Sequence, residues 1–582
     1  MLAHLALLVI FLTILILASL HSWCHCKYAS PKLTFTNRTK FSITLLPFYL
    51  APHLHFFFLV NSVYLYQYFL HNTLANRVSS ISSRARVHVI NKEELMSVHS
   101  ENKNMEAQQL KSRYFLTWRW HFYAGLFVVP FLLMLSLTGL VMLFDQEIET
   151  ARYGDIIKLS PKTIPHETST NTFSTAPLAK LSISEQLNII QQAFPTHSVT
   201  QFIPAKTADV ANRFSIKDTD GKVLFATINP YNGEVLGTID RSDSWYQLAN
   251  DIHGTLLIGD WGDHLIEVAA SLCILLLVSG IYLWLPFDNA SKAGFLKIRT
   301  SHGPRIFMRD LHANLGGTLS FVFLFFILSG LAWAGVWGGK MVQAWSTFPA
   351  QKWDDVPLST QTHQSLNHLA EEELPWNLEQ TPLPASNHDH SKMGTDDASS
   401  TTGLQNIDRL EATILQLGYT HYKLHFPRGE QGVFTVSANT MSGDIIDPTQ
   451  DRTTHIDQYS GEILADVSWD DYGVMAKMMA AGIALHQGDI SIINKVFNVL
   501  FCVMFIVISV TGAVMWWIRR PKNRAHLGVP PRFTHPGTWK TAVVTLSLIC
   551  LAFPLAGMTI VLTLLLDWFL FSRFKSFAAL KN

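Results

Sequence analysis

Charge is what this chain has least of. Asp, Glu, Lys and Arg make up 15% of its 582 residues while 48% are hydrophobic, against about 25% charge in a soluble globular chain. That balance excludes a wholly soluble protein. Neither sign is in excess, with 44 Lys and Arg against 44 Asp and Glu, so no nucleic-acid partner is expected. Cysteine is scarce as well: Cys24, Cys26, Cys273, Cys502 and Cys550, the last three within apolar runs. No disulfide framework follows, and no Cys-x-x-Cys-His motif is present to attach a cofactor covalently. A glycine-rich dinucleotide fingerprint is also missing.

What the chain has instead is four long apolar stretches, 121–144, 255–285, 312–339 and 489–518. Each exceeds the roughly 20 helical residues that cross about 30 Å of hydrocarbon. The connection between the second and third carries Lys292, Lys297, Arg299, Arg305 and Arg309 against Asp288 and Asp310. The fourth is followed by Arg519, Arg520, Lys522, Arg524 and Arg532 with no acid among them. By the positive-inside rule both segments face the cytoplasm, where Trp118, Trp120, Trp284, Trp516 and Trp517 add an aromatic belt.

The expected layout follows. A cytoplasmic lead and first span occupy 105–144, an outer insert 145–252, a second span 253–286 and a cytoplasmic loop 287–308. A third span at 309–340 leads to a second, acidic outer insert at 341–485, a fourth span at 486–520 and a cytoplasmic loop at 521–540. The C-terminal apolar segment, 541–572, is broken by Pro554, which leaves a kinked crossing or a shallow hairpin open. Residues 1–104 form an N-terminal extension for which Met96 or Met105 is an alternative start; Leu2-Ala3-His4 lacks the basic opening of a signal peptide.

Each of the four stretches opens with a histidine and carries a Ser/Thr-Gly pair further on. His121 precedes Gly139 by 18 positions, His253 precedes Gly280 by 27, His312 precedes Gly330 by 18 and His486 precedes Gly512 by 26. The short-long-short-long series marks a duplicated unit. Ionisable groups inside a bilayer are costly and tend to be functional, so four in register point to a metal or haem site. By this topology His121 and His312 lie at the cytoplasmic ends of their spans, and His253 and His486 at the outer ends. They therefore pair by depth. Two neutral imidazoles on one haem iron leave no open position and suit one-electron transfer.

Gly125 and Gly316 fall one helical turn after His121 and His312 and leave room for a porphyrin plane. Arg119 and Arg309 stand at the headgroup level, where haem propionates would emerge. The Ser/Thr-Gly pairs read more readily as helix-packing devices than as cofactor contacts. His264, near the start of the apolar part of the second stretch, is a rival ligand for the outer couple. His388-Asp389-His390 could bind a metal, but the acidic stretch 371–403 around it reads better as a loop.

The outer inserts repeat too. Ile228-Asn-Pro-Tyr-Asn-Gly-Glu-Val-Leu236 and Ile456-Asp-Gln-Tyr-Ser-Gly-Glu-Ile-Leu464 share a pattern of two strands joined by a turn with a positive-φ glycine. Ser182-Ile-Ser-Glu185 before Leu187 is a capping box, and a second helix signal lies at 404–417. Each insert thus reads as one helix followed by an antiparallel meander.

Together these pieces resemble the PepSY-associated transmembrane family of iron-regulated inner-membrane proteins, which includes ferrisiderophore reductases carrying b-type haem. The matching motifs are Trp118-Arg-Trp-His121-x-x-x-Gly125, His253-Gly254, Ser279-Gly-Ile-Tyr-Leu-Trp-Leu-Pro286, Arg309-Asp-Leu-His312-x-x-x-Gly316, Leu485-His-Gln-Gly488 and Thr511-Gly-x-x-Met-Trp-Trp-x-Arg-Arg-Pro521. They run from about Arg113 to Pro521. The resemblance implies an α-helical membrane bundle of four core transmembrane helices plus a C-terminal hydrophobic segment, with two small α+β periplasmic PepSY-like modules. It implies a multi-pass protein of the bacterial inner membrane holding two non-covalent b haems, on His121 with His312 and on His253 with His486. The implied activity is an oxidoreductase that reduces a ferric siderophore or other ferric acceptor, with a quinol or a redox protein as donor. The alternative is a non-redox envelope protein whose outer modules bind or inhibit a peptidase or other partner.

Overall fold

The computed structural model describes residues 92–160, 180–286, 292–343, 350–367, 374–386, 407–520, 530 and 539–573. Cys24, Cys26, His53, His55 and His388-Asp389-His390 lie outside them. Lys92–Lys111, which is helix, belongs to a different unit from Ser112 and the elements after it.

In chain order, α1 (Lys92–Leu143) and α2 (Asp145–Ile157) precede α3 (Ile183–Ala193) and strands β1 (Ser198–Ile203), β2 (Asn212–Lys217), β3 (Val223–Ile228) and β4 (Val235–Asp240). Helices α4 (Trp245–Thr255), α5 (Asp260–Trp284), α6 (Pro304–Thr318) and α7 (Ser320–Leu331) follow, then a π-helical stretch at Gly335–Val342. Strands β5 (Leu358–Thr362) and β6 (Pro382–Pro384) lead to α8 (Ile407–Gln416), β7 (Lys423–His425), β8 (Val433–Ala438), β9 (Arg452–Asp457) and β10 (Ile463–Ser468). The chain closes with α9 (Val474–Gln487), α10 (Ile492–Arg519), α11 (Lys540–Ala552) and α12 (Pro554–Arg573).

Among the described residues, α5, α10 and the Gln108–Leu143 part of α1 are each long and apolar enough to cross a membrane. Helices α6 and α7 are long and apolar enough only when taken together, and they are bent by 62° where Leu319 separates them, the geometry of a broken fourth span or of a re-entrant loop. α6 packs along α10 and against α5, and α7 packs along α5. The α5–α6 crossing is close because Gly317 has no side chain: a Cβ there would fall 2.2 Å from the Trp284 indole. Buried Asn314 fastens the same corner, accepting from Trp284 Nε1 (3.0 Å) and Leu296 N (2.8 Å). The C-terminal segment breaks at Phe553, before Pro554, into α11 and α12. Phe553 stacks on Trp337 at 5.9 Å, and Trp337 Nε1 donates to Ala552 O.

Two span boundaries differ from the sequence reading. His253 and His486 do not stand on spans two and four but on α4 and α9, short helices that end before α5 and α10 begin. Gly488 at φ 86° ends α9 in the ordinary way. After α4 the turn is made by Leu256 and Leu257, at φ 53° and 62°, a left-handed conformation that costs a non-glycine residue roughly 1–2 kcal/mol. Leucines there look like more of the apolar run, so the break is invisible in composition.

The inserts also differ from expectation. Rather than two separate modules they form one antiparallel sheet of order β10-β9-β8-β7-β1-β2-β3-β4. Four strands come from each insert, and β1 joins β7 through Gln201 opposite His425 and Phe202 opposite Leu424. Each meander alone would leave an edge of unpaired backbone groups at β1 or β7, and joining the edges satisfies both. Helices α3 and α8 pack together, and their Ile183, Ile190, Ile407 and Ile414 share one core with Phe202, Phe214, Leu424 and Val436. Within each half the local expectations hold. Ser182 and Glu185 form the reciprocal capping box, and the β3–β4 and β9–β10 turns place Gly233 and Gly461 at φ 74° and 72°. The described part of the stretch read as a loop, 374–386, runs through turns and the short strand β6, with Leu374, Trp376 and Leu378 buried.

Candidate functional site

The Nδ1 atoms decide what the four histidines can do. His121 Nδ1 lies 3.1 Å from Leu276 O and 3.0 Å from Ser279 Oγ. A carbonyl can only accept, so Nδ1 carries the proton. His312 repeats the arrangement, 2.9 Å from Ile508 O and 3.3 Å from Thr511 Oγ1. His253 Nδ1 meets Thr138 Oγ1 at 2.8 Å, and His486 Nδ1 meets Ser329 Oγ at 2.7 Å. Each of the four hydroxyls donates to a carbonyl one turn back in its own helix, that of Leu275, Val507, Met134 or Phe325. It is therefore left to accept from the imidazole. The carbonyls hold His121 and His312 as the Nδ1–H tautomer, and the same tautomer at His253 and His486 satisfies every hydrogen bond of Thr138 and Ser329; it puts the lone pair on Nε2, as a ligating histidine requires.

Each glycine of the Ser/Thr-Gly pairs sits against the same ring. A Cβ at Gly280 would lie 3.1 Å from His121 Cε1, and one at Gly512 would lie 3.2 Å from His312 Cε1. The corresponding distances are 3.6 Å for Gly330 to His486 and 3.9 Å for Gly139 to His253. The pairs do pack elements together, as read from sequence, and what each packs against is a histidine ring. Ser279, Thr511, Thr138 and Ser329 are site residues that the histidine spacing pointed to without identifying.

The rings of His121 and His312 lie with centroids 6.3 Å apart and planes at 84°. Two metal–imidazole bonds of about 2 Å, with half a ring beyond each, add to roughly 6 Å, so the spacing of this first couple matches that of two imidazoles on one ion. His486 and His253 lie near enough to interact electrostatically, which makes them the candidate second couple. The couples lie at different heights: α1 carries His121 at one and Thr138, the partner of His253, at the other. Along a continuous helix those positions are roughly 25 Å apart.

The remaining candidates sort by their neighbours. A Cβ at Gly316 would meet nothing within 4 Å, and one at Gly125 only Leu276 Cδ2 at 3.8 Å, so both leave space beside the first couple. Arg119 donates to Pro530 O and stacks on Tyr123. Arg309 pairs with buried Asp310 at 2.9 Å, which also receives Arg299 at 2.7 Å. His264 packs against Trp261 at 6.4 Å and lies near Asp263 and Glu267. Those two carboxylates accept from Gly335 N and Val336 N and cap the π-helical stretch.

A second histidine pair, not singled out in the sequence, is buried in the sheet body. His363 Nδ1 donates to Thr381 O at 2.8 Å, so its Nε2 accepts from His455 Nε2 at 3.0 Å; His455 Nδ1 then accepts from Thr435 Oγ1 at 3.0 Å. Burial holds His363 down to about 4. Both rings are neutral and fully bonded, so this pair offers no lone pair to a metal. Among the described residues no group of three or more His, Cys, Asp or Glu could hold a metal ion.

A search of curated proteins found no match. The chain belongs to the family described as the PepSY-associated TM region, whose model matches residues 118–519 and so takes in all four histidines and their four hydroxyl partners.

Proposed function

We propose that the protein is a di-haem b electron-transfer protein of the bacterial inner membrane. In this reading it reduces a ferric siderophore or other ferric iron at the periplasmic face, with electrons from the cytoplasmic side or the quinol pool. The observation that supports it is the tautomer: four histidines from four elements each donate through Nδ1 and keep Nε2 free, in two couples at two heights.

Haem b held by two imidazoles supplies one-electron transfer with no open coordination position. The chain's own residues do the rest. His121 with His312, and His253 with His486, offer their Nε2 lone pairs. The four hydroxyls and two carbonyls fix ring orientation, and the glycines at 280 and 512 let the first couple approach the facing helices. Gly125 and Gly316 clear space beside that couple. Arg119 and Arg309 would face propionates, with Arg309 already sharing Asp310 with Arg299. The surrounding apolar core, built on Val128, Leu272, Ile327 and Leu331, keeps water away. Reduction suits iron release because ferrous iron is held less tightly than ferric by hard oxygen ligands.

The test is the spectrum of purified protein. A sharp Soret band with an α-band on dithionite reduction is expected. A colourless preparation rejects the proposal and favours an envelope protein whose sheet body binds or inhibits a partner.

A further inference from the structure

We propose that the four hydroxyls are positioning residues of unequal weight, and that the inequality leaves the second couple at the higher reduction potential. The inference rests on the haem reading above. Among the described residues, Thr138 and Ser329 alone receive the Nδ1 protons of His253 and His486. Ser279 and Thr511 share that task with the carbonyls of Leu276 and Ile508.

The glycine distances report the same difference independently. The first-couple rings press to 3.1 and 3.2 Å of the Cβ positions at Gly280 and Gly512, while the second-couple rings stand off at 3.9 and 3.6 Å. A ring that comes closer reaches past the hydroxyl to the backbone. Nδ1–H donation raises the basicity of the ligating nitrogen and favours the oxidised metal. Two acceptors, one of them a carbonyl, therefore lower the potential of the first couple. A single hydroxyl, already donating to its own helix, lowers that of the second couple less. Phe326 packs on His486 at 4.9 Å and adds an apolar face that disfavours the oxidised, more highly charged metal. An electron that enters at the first couple then runs downhill to the second, which is the direction a periplasmic reductase needs.

The experiment is a potentiometric titration of the full chain in detergent, followed in the α-band. His253→Ala should remove the higher-potential component and His121→Ala the lower. Thr138→Val or Ser329→Ala should raise the higher component or halve haem content, with Thr138→Ser and Ser329→Thr restoring the wild-type titration. Ser279→Ala and Thr511→Ala should move the lower component by less than half as much. Equal shifts from all four hydroxyl losses, or loss of the higher component in His121→Ala, would overturn the inference while leaving the haem reading intact. A wild type without haem would sink both.

Discussion

His121 and Gly280 meet across two spans so closely that a single added methyl on the glycine would sit 3.1 Å from the imidazole Cε1. His312 and Gly512 repeat the contact at 3.2 Å, and in both cases the proximity lets Nδ1 reach a backbone carbonyl.

Gly280→Ala and Gly512→Ala should therefore displace the ring they face. Overpacking of this kind costs about 1–3 kcal/mol, and the expected result is a lowered melting temperature together with loss of haem from the first couple. Gly139→Ala and Gly330→Ala meet their rings at ordinary contact distance and should change neither. Melting curves and haem content of the four variants, measured side by side, check the contrast.

A harsher effect is expected at the corner after His253. A Cβ at Gly262 would fall 1.6 Å from Thr255 O and 2.3 Å from Thr255 C, and backbone cannot step aside as a side chain can. Gly262→Ala should cost well over the ~1–3 kcal/mol of ordinary overpacking and unseat α4 with its histidine. Gly254→Ala is the control: it meets nothing within 4 Å, and alanine in a helix is favoured over glycine by up to about 1 kcal/mol. Comparable losses of folded yield from both substitutions would contradict this account of the corner.

The seam between the inserts makes a prediction about cooperativity. Leu424 is fully buried on β7, opposite Phe202 of β1. Truncation to alanine should cost about 2–5 kcal/mol and weaken both halves of the sheet at once. Proteolysis of Leu424→Ala should release fragments from 180–240 and 407–468 at matching rates. Selective loss of the second half would show that the sheet is two units in contact.

Glu379 sets a pH dependence. Burial pushes its carboxyl up to about 7 from 4.5, against the opposing hydrogen bonds from Gln343 and Asn367. Because the folded value is the higher one, the fold favours the protonated form: its contribution is complete below about 4.5 and is lost as pH rises through about 7. Glu379→Gln should remove that loss, so the variant gains melting temperature over wild type progressively between pH 4.5 and 7.5. A gap that stays constant with pH would contradict the assignment.

Legibility followed range. The histidine spacings, the Ser/Thr-Gly pairs and the Tyr-x-Gly-Glu turns are local or periodic signals, and each led to a residue that the structure places at a ring, a tautomer lock or a hairpin turn. What composition hid was of two kinds. Leu256 and Leu257 turn the chain without a glycine to mark it, so α4 merged with the span behind it. The β1–β7 seam, the His363–His455 pair and the burial of Glu379 all depend on strands or loops far apart in sequence, for which no periodicity exists. The role of Ser279, Thr511, Thr138 and Ser329 lay between these cases: their repeat was visible, but which ring each would hold required the bundle.

The central claim is that His121 pairs with His312 and His253 with His486 around two separate irons. The most direct test is haem content per chain, by pyridine haemochrome, in double variants chosen within and across couples. The account predicts two haems in the wild type, one in His121→Ala/His312→Ala, one in His253→Ala/His486→Ala, and none in His121→Ala/His253→Ala. One haem retained in the cross-couple variant, or an unchanged two in either within-couple variant, would contradict it.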